Sequence, residues 1–327
     1  MSPLMSFFGS ASTRMLNTPL LSLWQGIAGY MAGGFGNGVD YTDIDKLVFS
    51  NETASKLSSV LDTVKDSNAM ISNSGTAGYV LGGTNYAINT VYTNANKISF
   101  SSDTRSLVAS AFPSGGRFSA VGLEQKLNAG YISNGSAVTP LTPLNTMSKF
   151  LFASDTPSSI SATTTNSMAS SGVVLDENVG YIIGGVTASL TFSNVDKITF
   201  STETKSVISS SLTTPRGVPA SISNIKKSGY ILGGANGPGT LVYSEISKLT
   251  YSSETMSNIS AVLPNQWSFQ STGVSNYGIS GYTMGGGING GGQQSAINKL
   301  TMSNETISTS SATIGAVRTG GTFSNNS

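Results

Sequence analysis

The chain has 327 residues, of which 10% are charged, and a formal net charge of +1, a balance that excludes a broad electrostatic grip on nucleic acid or an anionic membrane. It contains no cysteine and no histidine, which removes disulfides, thiolate nucleophiles, Cys/His metal sites and the usual general base near neutral pH. Apolar residues reach 38% and glycines number 38, and the apolar residues recur in short alternating runs, so the composition reads as a turn-rich all-β protein rather than a disordered one.

Residues 1–25 come first and stand outside the pattern that follows. They carry Phe7, Phe8, Leu20 and Trp24 together with Leu16, Leu21 and Leu23, too apolar for a solvated tail. The segment lacks a basic n-region and a sustained apolar h-region, so no signal peptide is expected. No apolar stretch approaches the roughly 20 residues that span a bilayer. The segment reads as an arm, packed on the body of the protein or held by a partner.

From residue 26 onward the chain repeats. A Gly-Tyr pair followed by apolar or glycine positions occurs at Tyr30, Tyr79, Tyr131, Tyr181, Tyr230 and Tyr282. Five copies run into a Gly-Gly pair, and the third decays to Ser133-Asn134-Gly135. A second block follows each first one and begins with Lys46, Lys97, Lys149, Lys197, Lys248 and Lys299, each with an aspartate or glutamate six residues later. Two independent blocks keep one period, which makes the repeat the organising unit.

Within a unit the pattern has the period of strands. Ile246, Lys248 and Thr250 alternate with Ser247, Leu249 and Tyr251, and Ser252-Ser253-Glu254-Thr255 supplies a turn before another β-compatible run. Two strands before a variable loop and two after it make a blade of about 50 residues, whose sheet buries both faces only when neighbours stack around an axis. Six copies predict an all-β, six-bladed β-propeller with about four strands per blade over residues 26–327, preceded by the arm.

Near the end, Arg318-Thr319-Gly320-Gly321-Thr322-Phe323-Ser324 reads as an opening strand with no Gly-Tyr strand behind it. Residues 319–326 are therefore expected beside residues 27–34, closing the ring; the rival is that Leu20 to Leu23 supplies the missing strand.

Thr214-Pro215-Arg216, then Tyr230-Ile231-Leu232-Gly233-Gly234, then Tyr251-Ser252-Ser253-Glu254-Thr255 resemble the kelch repeat in its order of parts. The resemblance covers the chain from about residue 27 and implies a kelch-like propeller. It departs at one element: Lys56, Leu107, Ser159, Val207, Asn258 and Thr309 stand where the family has tryptophan.

Candidate chemistry is sparse. Gly33-Gly34-Phe35-Gly36-Asn37-Gly38 and Gly285-Gly286-Gly287-Ile288-Asn289-Gly290 look like phosphate loops, but no helix follows to receive a phosphate, and glycines ending a strand explain them better. Asp40, Asp43 and Asp45 lack the spacing of a calcium loop and read as a solvated turn. The Lys and Asp/Glu six apart read as a cross-strand pair in each hairpin, for instance Lys248 with Glu254. Arg117, Arg216 and Arg318 precede opening strands and read as structural.

Recognition is placed in the variable segments 35–41, 84–92, 137–146, 235–243 and 288–294, because loops on a rigid scaffold are where binding resides. The candidates are Asn37, Tyr41, Asn85, Tyr86, Asn236, Asn289 and Gln293, and the candidate anchors are Phe7, Phe8, Leu20 and Trp24. Low charge, absent His and Cys, and Ser/Thr/Asn-rich imperfect blades resemble bacteriophage virion proteins of the tail or capsid appendage. That resemblance implies a non-enzymatic structural or adhesion protein of the virion, with no cofactor, contacting other virion proteins through the arm and a host-surface glycan or protein through the propeller. The alternatives are an extracellular glycan-binding module and, more weakly, a glycan hydrolase working with carboxylates alone.

Overall fold

Each Gly-Tyr segment has room to run as a strand because its tyrosine and its glycine point to opposite sheet faces, and each face meets a different neighbour. The computed structural model describes residues 26–137, 142–237, 239–268, 272–288 and 292–326. Six antiparallel sheets of about four strands stand around one axis, a six-bladed β-propeller, with no helix among the described residues. In blade 5, for example, the order from axis to rim is Ala220–Asn224, Ser228–Leu232, Tyr243–Thr250 and Thr255–Ser268.

Blade 1 draws its innermost strand from the other end of the chain. Gly321–Asn326 pairs antiparallel with Gly26–Ala32, placing Phe323 opposite Tyr30. Leu20 to Leu23 lie outside the described residues, as do Phe7, Phe8 and Trp24 of the arm.

The six repeat tyrosines are all buried, and each has its repeat lysine as cross-strand neighbour, Tyr30 with Lys46, Tyr131 with Lys149, Tyr230 with Lys248. Tyrosine and lysine thus leave the sheet on one face and meet a carboxylate of the next blade. Tyr30 Oη donates to Asp103 at 2.8 Å while Lys46 Nζ stands 2.7 Å from the same carboxylate. Tyr79 and Lys97 share Asp155, Tyr131 and Lys149 share Glu203, and Tyr181 and Lys197 share Glu254. Tyr230 and Lys248 share Glu305, and Tyr282 and Lys299 share Glu52, which carries the clip from blade 6 back to blade 1.

The expected pairing of Lys248 with Glu254 inside one hairpin is therefore wrong: Lys248 holds Glu305 and Glu254 is held by Lys197. The reason is local geometry. The carboxylate sits in the hairpin turn with a left-handed backbone, Glu254 at φ +50° and Asp103 at φ +52°, and its side chain faces the preceding blade while the lysine of its own hairpin faces the following one. An aromatic residue three positions before the carboxylate reinforces five of the clips, Phe100 stacking on Tyr30 at 5.3 Å and Phe200 on Tyr131 at 5.1 Å between ring centroids, while Met302 takes that position in the Tyr230 clip. These ion pairs are partly exposed, so each contributes about 0–1 kcal/mol; the buried rings between blades carry more.

At the far end of the Tyr strand the Gly-Gly pair turns the chain through left-handed conformations, φ +61° and +107° at Gly233 and Gly234. The decayed third copy keeps the same turn, with Asn134 at φ +60° and Gly135 at φ +88°, since asparagine tolerates this region better than other side chains. The second residue's N–H reaches the next blade, as from Gly83 to the Arg117 carbonyl at 2.9 Å.

Candidate functional site

The innermost strands leave an axial channel between them. It is a cavity of about 160 Å³ lined by every blade, including Met70, Gly122, Glu124, Val173, Leu175, Ser221, Ser223, Ser275, Tyr277 and Ser324. Strand alternation produces this lining: Ile71, Leu123, Val174 and Ile222 point between blades into the core, and their neighbours point to the axis.

One layer of the lining is built from hydroxyls. Leu175 N–H donates to Ser223 Oγ at 2.9 Å, Ser223 N–H to Ser275 Oγ at 2.9 Å and Ser275 N–H to Ser324 Oγ at 2.8 Å. Ser72 Oγ donates to the Ser324 carbonyl at 2.7 Å. In blade 3 the serine position is taken by Glu124, whose Oε2 accepts the Ser72 N–H at 2.9 Å. Burial pushes the Glu124 carboxyl up to about 7, against the opposing effect of the Ser72 N–H.

That shift has a testable consequence for stability. The folded value lies above the unfolded one near 4.3, so the ionised carboxylate penalises the fold increasingly as pH rises through 4 to 7 and fully above it. Glu124→Gln is expected to stabilise the protein at pH 8 by on the order of 1–3 kcal/mol and to leave it unchanged at pH 4, read by chemical denaturation at both pH values.

One mouth of the channel is ringed by backbone. Ser119 N–H donates to the Ser67 carbonyl at 2.5 Å, Ser170 N–H to Ser119 at 2.9 Å and Val218 N–H to Ser170 at 2.6 Å, and these residues surround a smaller cavity of about 80 Å³ continuous with the channel. All have left-handed backbones, φ +51° to +54°. For a β-branched residue this is costly, so Val218→Asn is expected to raise unfolding free energy by about 1 kcal/mol in a denaturant titration.

The variable loops rise on this same face, because the segments entering the inner strands bridge to the loop beginnings, Asp66 with Thr84, Phe118 with Ser136 and Gly217 with Ala235. Of the candidates there, Asn37 and Gln293 come together, with the Asn37 N–H donating to Gln293 Oε1 at 3.3 Å between blades 1 and 6. Asn85 is buried and its Oδ1 accepts the Ala87 N–H at 3.0 Å. Asn236 spends its amide on Thr240 and the Leu241 N–H. Both therefore cap their own loops. Tyr41 lies against the Arg318 guanidinium at 5.5 Å. Tyr86 is exposed, its hydroxyl 3.4 Å from Ser67 Oγ at the ring of backbone. Asn289 lies outside the described residues.

The loops also leave large apolar side chains exposed. Val39, Tyr86, Ile88, Leu190 and Leu241, on the loops of blades 1, 2, 4 and 5, are each more than half exposed. Of these, Tyr86 is a candidate read from the sequence, whereas Val39, Ile88, Leu190 and Leu241 were passed over in favour of polar neighbours; apolar residues at loop tips, where no core awaits them, were the available signal.

The acidic group at 40–45 disperses rather than forming a solvated turn. Asp45 is fully buried against Arg318, Asp43 pairs with Lys56 at 2.7 Å, and Asp40 stands apart. Among the described residues the carboxylates without an ion pair are Asp40, Asp66, Glu124 and Asp176, and the last accepts the N–H groups of Glu177 and Lys226 as a turn cap. Burial raises Asp66 to about 6, with a smaller push from Asp40, and burial raises Asp40 as well. No cluster of three or more metal-ligating side chains occurs among the described residues, and no helix is long and apolar enough to cross a membrane. No family model matches the chain, and no curated protein matches it.

Proposed function

We propose that this propeller is a non-enzymatic assembly protein, a kelch-like structural component of a virion such as a phage tail or capsid appendage, that docks another protein on its loop face. The observation that supports this reading is the crown of apolar tips, Val39, Tyr86, Ile88, Leu190 and Leu241, around the channel mouth. Exposed apolar side chains recurring on the loops of a rigid scaffold favour a protein partner, and the inward commitment of Asn85 and Asn236 removes amides that a glycan would need. The six repeat carboxylates are each occupied in holding neighbouring blades together, which argues against carboxylate catalysis. The arm of residues 1–25 is the second point of attachment in this proposal.

The test is fractionation of producing or infected cells on a density gradient, probing for this chain. Co-sedimentation with particles in fixed stoichiometry is expected, and it should be lost in a folded Leu190→Asp, Leu241→Asp double variant. Recovery only as free protein overturns the proposal and brings extracellular glycan binding forward.

A further inference from the structure

We propose that the axial channel is a binding site for a small organic cation, a primary alkylammonium of four or five carbons, seated with its charge on Glu124 and its chain against the apolar side chains of the two flanking blades. The site is independent of the loop-face reading. Glu124 is the one carboxylate in the channel lining, and no lysine or arginine lines the cavity with it. Its Oε2 is taken by the Ser72 N–H, and no protein partner at Oε1 is recorded among the described residues. A partly buried carboxylate without a cation is a costly arrangement, and it is built here into a cavity rather than into packed core.

Beside Glu124, blades 2 and 4 present Met70, Val173 and Leu175 together with Asn68 and Ser171, and the blades across the channel contribute most of its hydroxyls, Ser221, Ser223, Ser275, Thr322 and Ser324. Oγ of Ser223, Ser275 and Ser324 each accepts one N–H from a neighbouring strand, which fixes the oxygens while leaving a second lone pair on each. Met70, Val173 and Leu175 suit a short alkyl chain. A cavity of about 160 Å³ has room for a butyl or pentyl amine.

The ammonium must meet an ionised Glu124, so binding is linked to its titration. The ionisable group facing Glu124 from another blade is Tyr277, whose hydroxyl is raised well above its usual value by burial first and by the Glu124 charge second and stays neutral throughout. Lys126, in the turn just beyond the strand that carries Glu124, is lowered by burial. With Glu124 at about 7, affinity should rise about tenfold between pH 6 and pH 8, and binding at pH 6 should release protons.

The experiment is isothermal titration calorimetry of n-butylammonium chloride into the full chain at pH 6 and pH 8, in two buffers of different ionisation enthalpy, with 1-butanol and sodium chloride as controls. Expected are one saturable site, about tenfold tighter at pH 8, buffer-dependent heat at pH 6 that reports proton release, and no site for either control. Glu124→Gln should abolish binding, and Leu175→Phe, which narrows the lumen without touching the charge, should weaken it at least tenfold. Absence of saturable binding, binding without proton release at pH 6, equal binding by butanol or sodium chloride alone, or undiminished binding by folded Glu124→Gln overturns the proposal. Should Glu124→Gln fail to fold, the proton release of the unmodified protein decides.

Discussion

Replacing Arg318 with methionine is expected to destabilise the propeller by about 3–5 kcal/mol, the cost of leaving a buried carboxylate without its cation. Arg318 and Asp45 are both fully buried, with Nη2 2.5 Å from Oδ2, and the same Nη2 reaches the Asp43 carbonyl at 3.3 Å. Asp45 also accepts the Gly315 N–H at 2.9 Å, so the pair ties the segment entering the innermost strand of blade 1 to the third strand of that blade. Arg318 belongs to the last residues of the chain and Asp45 to the first blade, so the interaction spans the joint where the ring closes. Guanidinium chloride denaturation should show the midpoint falling without a change in slope. The double variant Arg318→Met, Asp45→Leu should recover most of the loss, because it removes both charges and leaves apolar groups of similar size. If the double variant is no more stable than the single one, the penalty comes from lost packing rather than an uncompensated charge.

Comparable positions in other blades show why this pair is singular. Arg216 is also fully buried and meets Glu245 and Ser247 of its own blade, but Glu245 is partly exposed and water shares its charge. Arg117 reaches only the carbonyl and hydroxyl of Thr146, at 2.8 and 3.0 Å, and Lys65 meets Asn94 and Asp62. A long donor thus stands under blades 1, 2, 3 and 5, a carboxylate answers it at blades 1, 2 and 5, and among these pairs both charges are fully buried at blade 1 alone.

The propeller was legible because its signals are periodic and local: a buried tyrosine, a left-handed turn and a lysine recur in every copy, and a period read along the chain becomes a rotation around the axis. Asn134 shows how far that signal holds, since a copy that loses one glycine keeps the geometry. The partners of the lysines were not legible, because Tyr30 and Lys46 find Asp103 across a blade boundary, and an equally spaced carboxylate in their own hairpin is the nearer choice in sequence. Glu124 escaped notice for a different reason. The inner strands align Ser72, Glu124, Leu175, Ser223, Ser275 and Ser324 in one layer, and the one acid stands out only once that register is known. The loop candidates were chosen for polarity, and polarity in a tight loop is commonly spent on the loop itself, as at Asn85 and Asn236.

The glycine of each Gly-Tyr pair carries the second large expected effect, and Gly78 is its sharpest case. A Cβ there would stand 2.0 Å from Phe323 Cε2 and 2.2 Å from Cδ2, well inside van der Waals contact. Phe323 cannot swing aside, because its ring is stacked on Tyr30 at 5.2 Å within the core between blades 1 and 2. The same contact recurs around the ring, Gly130 against Ile71, Gly180 against Leu123, Gly229 against Val174 and Gly281 against Ile222, so the glycine is the groove into which the preceding blade's innermost strand fits. At Gly78 that strand is Gly321–Asn326, held by the closing contacts rather than by a chain running on into a further strand of blade 1. Gly78→Ala is therefore expected to cost at least the 1–3 kcal/mol typical of overpacking and to loosen the terminal strand first, visible as faster hydrogen exchange of the Thr322 to Ser324 amides than of the blade 4 strands. Adding Phe323→Leu should return part of the loss by vacating the space the new methyl needs. Uniform exchange across all blades would mean instead that the propeller opens as one unit, with the closing strand no weaker than the rest.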